Sequence, residues 1–232
     1  MGQVGRVPAE FAPACQRLLE RNNFMVTGTA NEIVPIPVLG VILAGGSSRR
    51  YGSDKALMRL GERSLLAHVI ERMRPQVDQL VISGPSRPGC SLPAIPDGQS
   101  GLGPLMGLCT AMHWAEARQL PLIATVACDT PFIPTDCIER FRNAIGSRHC
   151  AVASRSGEMQ PTCALWRTSA IDRVEAALAS GVRSLRAALG VVDDVIVEFQ
   201  QESDREDPFF NINRPQDMEI AYRWLDRDRL LA

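Results

Sequence analysis

The sequence predicts an α/β protein with a Rossmann-like three-layer fold, in which a mostly parallel central sheet carries helices on both faces. Three observations predict it. Apolar runs suited to strands alternate with stretches of helical periodicity along most of the 232 residues. One run, Leu122-Ile123-Ala124-Thr125-Val126-Ala127, is bounded by turn signals and fits a central parallel strand buried on both faces. Another, Val41-Ile42-Leu43-Ala44, runs into paired glycines and a basic stretch, which is how a strand feeding a phosphate-binding loop reads.

Taken in order, residues 1–38 stand apart as a flexible N-terminal extension. Pro8, Pro13, Pro35 and Pro37 punctuate it, and only Phe11 to Phe24 suits a short helix. An upstream start or an arm packed on a neighbour are its other readings. Residues 39–232 form one domain. After the glycine loop, Leu65, Leu66, Val69, Ile70 and Met73 fall at helical spacing, with Pro75 just beyond. Leu80-Val81-Ile82 is a short strand closed by Ser83-Gly84-Pro85-Ser86, and Ala94-Ile95 a further edge. A helix over Leu108–Ala117 precedes the 122–127 strand. Then come a helix over Ile138–Ile145, strands at 151–153 and 162–166, and helices at 170–179 and 184–189. A late strand at 195–199 and an amphipathic helix over 216–229 end the chain.

Composition narrows the function classes. Hydrophobic content of 45% and charged content of 22% fit a globular protein, and a net charge of −1 offers no general nucleic-acid or membrane surface. Positive charge that matters has to be local. Seven cysteines, with no Cys-x-x-Cys and no Cys/His pairing at zinc spacing, argue against a disulfide framework or structural zinc. No apolar run approaches the roughly 20 residues of a membrane span, and no basic-then-apolar leader opens the chain. The expected location is the cytoplasm.

The chemistry concentrates where predicted strands end. Gly45 and Gly46 let backbone approach a ligand closely, and Arg49, Arg50 and Lys55 supply fixed positive charge for a polyphosphate. The alternative is a glycine turn with a solvated basic loop. No Gly-Lys-Ser/Thr closes the segment, so it is not a Walker loop, and no third glycine completes a dinucleotide fingerprint. Asp129 leaves the 122–127 strand in Cys-Asp-Thr-Pro and suits either a Mg²⁺ site shared with phosphate oxygens or an Asx-turn. Asp97, in Asp-Gly, carries the same choice between ligand and turn. Gly103, within the glycine-rich 101–107 stretch, suits either close approach to a base or ribose or a plain connector into a helix. The glycine loop, Ser83, Asp97 and Asp129 thus converge on the edge where ligands of such sheets bind. His68, His113 and His149 have no partner motif. Without a visible nucleophile, phosphoryl or nucleotidyl transfer is the fitting reaction class.

The residues also resemble the MobA-like nucleotidyltransferase family, most closely its molybdenum cofactor guanylyltransferase branch. Leu43-Ala44-Gly45-Gly46, Arg50, Gly52 and Asp54-Lys55-Ala56-Leu57 match the opening signature, followed by Asp97, Gly103-Pro104-Leu105-Met106-Gly107 and Cys128-Asp129-Thr130-Pro131. Gln160-Pro161-Thr162-Cys163-Ala164-Leu165-Trp166 and Phe210-Asn211-Ile212-Asn213-Arg214-Pro215-Gln216-Asp217 extend the match, which spans roughly residues 39–225. The resemblance implies Mg²⁺-dependent transfer of GMP from GTP to the terminal phosphate of molybdopterin, with pyrophosphate released. It implies GTP contacts through the backbone of Leu43, Ala44 and Gly45, and phosphate binding by Lys55. It further implies nucleotide contact by Asp97, and both nucleotide and Mg²⁺ on Asp129. Arg50 joins Lys55 in offsetting phosphate charge, and Asn211 and Asn213 lie near the pterin or the reacting phosphates. Ser83 stands where guanylyl members often carry asparagine. Tyr51, Ser64, Met106 and Gln160 depart from the usual methionine, proline, alanine and histidine. Transient contact with cofactor-biosynthesis proteins or acceptor molybdoenzymes follows from the same resemblance. The alternatives are a cytidylyltransferase on the same pterin, a sugar-phosphate nucleotidyltransferase, or a nucleotide-binding module without turnover.

Overall fold

Strand β3 (Val38–Leu43) is apolar on both sides of its pleat, and the two sides face different cores. Val38 and Ile42 join one hydrophobic cluster, while Leu39 and Val41 join the other. Such a strand is stable only between two helical layers, and the computed structural model shows that arrangement. It describes residues 24–27, 32–45, 54–96, 103–200 and 207–231.

The other strands are β1 (Phe24–Thr27), β2 (Glu32–Pro35), β4 (Arg59–Leu60), β5 (Arg63–Ser64), β6 (Gln79–Ser83), β7 (Ala94–Ile95), β8 (Leu122–Ala127), β9 (Cys150–Arg155), β10 (Glu158–Arg167) and β11 (Asp194–Glu198). Seven of them form the central sheet in the order β11-β9-β10-β8-β3-β6-β7. Only β10 runs against the rest, pairing antiparallel with both β8 and β9. The expected mostly parallel sheet is therefore present.

On one face lie α1 (Leu65–Met73) and α3 (Cys137–Ile145), which contribute Leu66, Val69, Ile138 and Phe141 to the first cluster. On the other lie α2 (Pro104–Glu116), α4 (Ile171–Ala179) and α5 (Leu185–Leu189), with Leu108, Met112, Val174 and Leu189 in the second. The C-terminal α6 (Pro215–Leu231) closes a third, smaller cluster, in which Trp224 meets Phe132 and Phe210 edge-on at 5.4 and 4.8 Å. Thr125 is the one hydroxyl in the β8 run. It sits fully buried because its Oγ1 accepts the indole N–H of Trp166 at 3.1 Å.

Three local expectations are corrected. Helix α2 begins at Pro104 rather than Leu108, because proline suits the first helical position, where its missing N–H costs nothing. Strand β10 covers ten residues rather than Thr162–Trp166, and its register shifts between Gln160 and Ala164. That bulge accommodates Pro161, which has no N–H for a ladder. Residues 24–27 and 32–35, expected as extension without strands, pair as an antiparallel ribbon. The helix expected over Phe11–Phe24 lies outside the described residues, apart from Phe24 itself. Just after the ribbon, Ile36 is buried in the first core cluster, and its carbonyl accepts a hydrogen bond from Arg142 of α3.

Among the described residues no helix is long and apolar enough to cross a membrane. The six described cysteines carry free thiols.

Candidate active site

Beyond β3 the chain continues outward to β6 and β7, then returns to β8 on the opposite side of β3. Connections therefore diverge at the β3–β8 boundary, where an open α/β sheet leaves a crevice at its carboxyl edge. The ends of the strands are level there. Leu43 is the register partner of both Ser83 and Ala127, and Ser83 that of Ile95.

The segments leaving these ends are laced through backbone hydrogen bonds. Ala44 N–H donates to the Ser83 carbonyl at 2.9 Å, Cys128 N–H to that of Leu43 at 3.1 Å, and Gly84 N–H to that of Ile95 at 2.9 Å. Gly84 has φ +125°, and a Cβ there would lie 2.9 Å from Gly45 N and 3.1 Å from the Ala44 carbonyl. Glycine is thus required where the β6 exit presses on the start of the glycine loop. Ser83 itself is buried at 2% exposure.

The charged centre joins three distant parts of the chain. Lys55 opens a 3-10 turn (Lys55–Leu57) capped by Asp54, whose Oδ1 accepts from Ala56 N at 3.0 Å. Its Nζ donates to Asp129 Oδ2 at 2.5 Å and to Asn213 Oδ1 at 2.7 Å. The Asx-turn alternative for Asp129 fails on chemistry, since the residue two positions on, Pro131, has no N–H to donate. Asp129 is instead fixed from the C-terminal side. Ile212 N–H donates to its carbonyl at 3.0 Å, and Thr130 Oγ1 donates to Asn211 Oδ1 at 3.3 Å. Asp217 in the first turn of α6 accepts from both Asn213 N and Arg214 N at 2.7 Å, which orders the asparagine segment.

The expected Lys55, Asp129, Asn211 and Asn213 are thereby assembled, with Leu43, Ala44 and Gly45 at the adjoining strand end. Gly103 is not part of that cluster in the described contacts. It has φ +77°, and a Cβ on it would meet the Arg183 carbonyl at 2.7 Å, so the connector requirement alone accounts for glycine there. Gly46, Arg50 and Asp97 lie outside the described residues. Of the family departures, Ser64 caps α1 by accepting from Ala67 N at 3.2 Å.

One residue absent from the sequence-derived set is central to the geometry. Arg87, in the β6–β7 connection, donates Nη2 to the Ala44 carbonyl at 2.6 Å, Nε to Asp54 Oδ2 at 2.7 Å and Nη1 to the Pro85 carbonyl at 3.0 Å. It clamps residue 44, before the glycine-rich segment, to residue 54, after it. Nothing local marks it, because Ser-Gly-Pro-Ser-Arg-Pro reads only as a turn.

Cys128, between Leu43 and Asp129, is not an available nucleophile. Burial, and then the Asp129 charge, push its thiol up to about 12, so it stays protonated at neutral pH. What remains is a cation–carboxylate–amide centre beyond the ends of β3 and β8, suited to holding and neutralising phosphates.

A Rossmann-like sheet with this centre at its switch point defines a nucleotide-binding α/β protein of the nucleotidyltransferase class. The same fold occurs in molybdopterin-guanine dinucleotide biosynthesis protein A from Archaeoglobus fulgidus (TM-score 0.64, 24% identity, covering 82% of this chain and 99% of that one). It also occurs in 2-C-methyl-D-erythritol 4-phosphate cytidylyltransferase from Thermus thermophilus (TM-score 0.58, 20% identity, 81% and 98%). In sequence, the molybdenum cofactor guanylyltransferase of Rhodobacter capsulatus is 37% identical over 79% of this chain and 94% of its own length. That of Rhizobium meliloti (strain 1021) is 40% identical over 80% and 90%. The MobA-like NTP transferase domain matches residues 40–195, and the chain belongs to that family.

Proposed function

We propose that this protein is a molybdenum cofactor guanylyltransferase, which moves GMP from GTP onto the terminal phosphate of molybdopterin. The observation that carries the reading is the Lys55 ammonium held between Asp129 and Asn213 beyond the ends of β3 and β8, in a chain 36–40% identical to enzymes of that name.

The reaction is an in-line displacement. An oxygen of the pterin phosphate bonds to the α-phosphorus of GTP as the bond from that phosphorus to the pyrophosphate oxygen breaks. The attacking group is already anionic at neutral pH, so no general base is needed. The work left to the protein is positioning and charge neutralisation. Leu43, Ala44 and Gly45 supply backbone to the nucleotide, Lys55 and Arg50 meet its phosphates, and Asp97 adds a nucleotide contact. Asn211 and Asn213 serve the acceptor side. Lys55 and Asp129 neutralise each other at 14% and 17% side-chain exposure. Incoming phosphates give the ammonium new acceptors.

The donor set fits a divalent cation. Mg²⁺ takes one or two protein carboxylates with phosphates and water, and Asp129 is a partly exposed carboxylate already paired with a cation. Asp129 would hold Mg²⁺, which when bound would offset charge on the α-phosphate and leaving pyrophosphate. Hand-over to biosynthetic partners or acceptor molybdoenzymes belongs to the same reading.

The test is turnover of molybdopterin with Mg²⁺ and each of GTP, CTP, ATP and UTP, scoring dinucleotide and pyrophosphate. Turnover with GTP is expected. Preference for CTP would move the protein to cytidylyl transfer, and binding without turnover would make it a nucleotide-binding module.

A further inference from the structure

Helix α2 carries Cys109 and His113 one turn apart, and the neighbouring α4 carries Glu175. The thiol sulfur, a ring nitrogen and a carboxylate oxygen of these three residues all lie within 4.8 Å of one another. His113 Nε2 and Glu175 Oε1 are already 2.7 Å apart. The sulfur forms the floor, since Cys109 is 5% exposed. The imidazole and carboxylate form a rim, with side chains 53% and 48% exposed. An ion would therefore reach the group from solvent. Position separates it from the nucleotide crevice. His113 is nine residues along α2 from Pro104, or ~14 Å at 1.5 Å per residue, and the group faces α4 rather than the sheet edge.

We propose that Cys109, His113 and Glu175 form a binding site for a borderline-soft divalent ion of the Zn²⁺ class, which joins α2 to α4. A sulfur, nitrogen and oxygen set is the chemistry that selects such ions over Mg²⁺ or Ca²⁺. Tetrahedral coordination at ~2.0–2.3 Å sets neighbouring ligand atoms ~3.4–3.6 Å apart. The His113–Glu175 pair has to open by less than ~1 Å, and ligand atoms up to 4.8 Å apart have to close by ~1 Å, which the two exposed side chains do by rotating; the fourth position falls to water. Binding displaces the Cys109 thiol proton. A coordinated divalent cation does this to thiols. The linear sequence conceals the site because Glu175 follows His113 by 62 residues, and Cys-x-x-x-His is not a zinc-finger spacing.

The experiment titrates metal-stripped full-length protein with Co²⁺, then displaces it with Zn²⁺. One equivalent of Co²⁺ should give a thiolate-to-cobalt charge-transfer band, removed by Zn²⁺, and Zn²⁺ should raise the thermal midpoint. His113→Ala should abolish the band, Glu175→Gln should weaken binding at least tenfold, and Cys90→Ser should change neither. Absence of the band in the parent protein overturns the proposal. So does a band that survives in Cys109→Ser or His113→Ala, because the ion is then held elsewhere. His113 and Glu175 are exposed, so their variants keep the test open even if Cys109→Ser folds poorly. Nucleotide transfer is not a readout, so failure of one reading leaves the other standing.

Discussion

Replacement of Arg87 by alanine tests whether the glycine loop is preorganised by the β6–β7 connection. The change removes the donors to the Ala44 carbonyl (2.6 Å), Asp54 (2.7 Å) and the Pro85 carbonyl (3.0 Å). The Arg87 side chain is 5% exposed, so water does not simply take its place. An orphaned buried carbonyl costs about 1–3 kcal/mol. Asp54 is 36% exposed and rehydrates. Its lost ion pair, discounted for solvent, adds no more than about 1 kcal/mol. The sum is about 1–4 kcal/mol, or roughly 2–16 °C in melting temperature for a chain of this size. Arg87→Lys should fall between parent and alanine, since an ammonium keeps the charge but not the three-way fork. Urea unfolding gives the stability, and thermal shift against a GTP series gives the affinity. A variant within about 0.5 kcal/mol of parent would refute the clamp, because that is the scatter of ordinary surface changes. Lost stability with unchanged GTP affinity would leave Arg87 a structural residue and refute its positioning role. Additivity of Arg87→Ala with Asp54→Asn would also refute it, since coupled partners show about 0.5–3 kcal/mol of interaction.

Asp129→Asn should lose turnover by about 10²–10³, in line with removal of one charge-stabilising contact, while far-UV circular dichroism stays unchanged; near-parental rates with Mg²⁺ would refute the assignment. Gly84→Ala should destabilise by at least about 1–3 kcal/mol, the cost of a left-handed non-glycine residue, and a neutral result in urea unfolding would count against the close approach to Gly45. Cys128, pushed up to about 12, should resist iodoacetamide at pH 8.5 while unfolded protein reacts. The native state then holds a proton that the unfolded state releases from about pH 8.5 upward, so stability should fall with rising pH between about 8.5 and 12, and Cys128→Ala should remove that part of the slope.

Several of these features are legible in the residues alone. The runs at 41–43, 80–82 and 122–127 are strands because buried strands are apolar on both faces, and their ends mark the site edge. Lys55, Asp129, Asn211 and Asn213 stand out by residue type. Their mutual contacts do not, since Lys55 lies 74 residues from Asp129 and 158 from Asn213, and no local period encodes such pairs. Strand β10 reads short in the sequence because Glu158 and Gln160 are polar and Pro161 follows, whereas the bulge there lets a proline interrupt the ladder. The β1–β2 ribbon is hidden because Pro35 and Pro37 signal a break, yet Pro35 ends its strand, where a missing donor is tolerated.

The Lys55–Asp129 pair also argues for function over stability. A half-buried ion pair gains little for the fold, since desolvation offsets most of its Coulomb energy, and packed apolar side chains of similar volume would serve as well. Here the pair occupies a switch-point crevice, with Asn213 adding a second acceptor and Asp217 anchoring that asparagine through its backbone. Such an arrangement keeps an ammonium and a carboxylate oriented and neutralised, and on the proposed reading a polyphosphate would supply other partners. On that reading the charge needed for phosphate transfer is set in place beforehand, and ligand entry would exchange ion pairs instead of creating them. Reorganisation is the cost that preorganised sites avoid. By this argument Lys55→Met should impair the reaction more than it impairs folding.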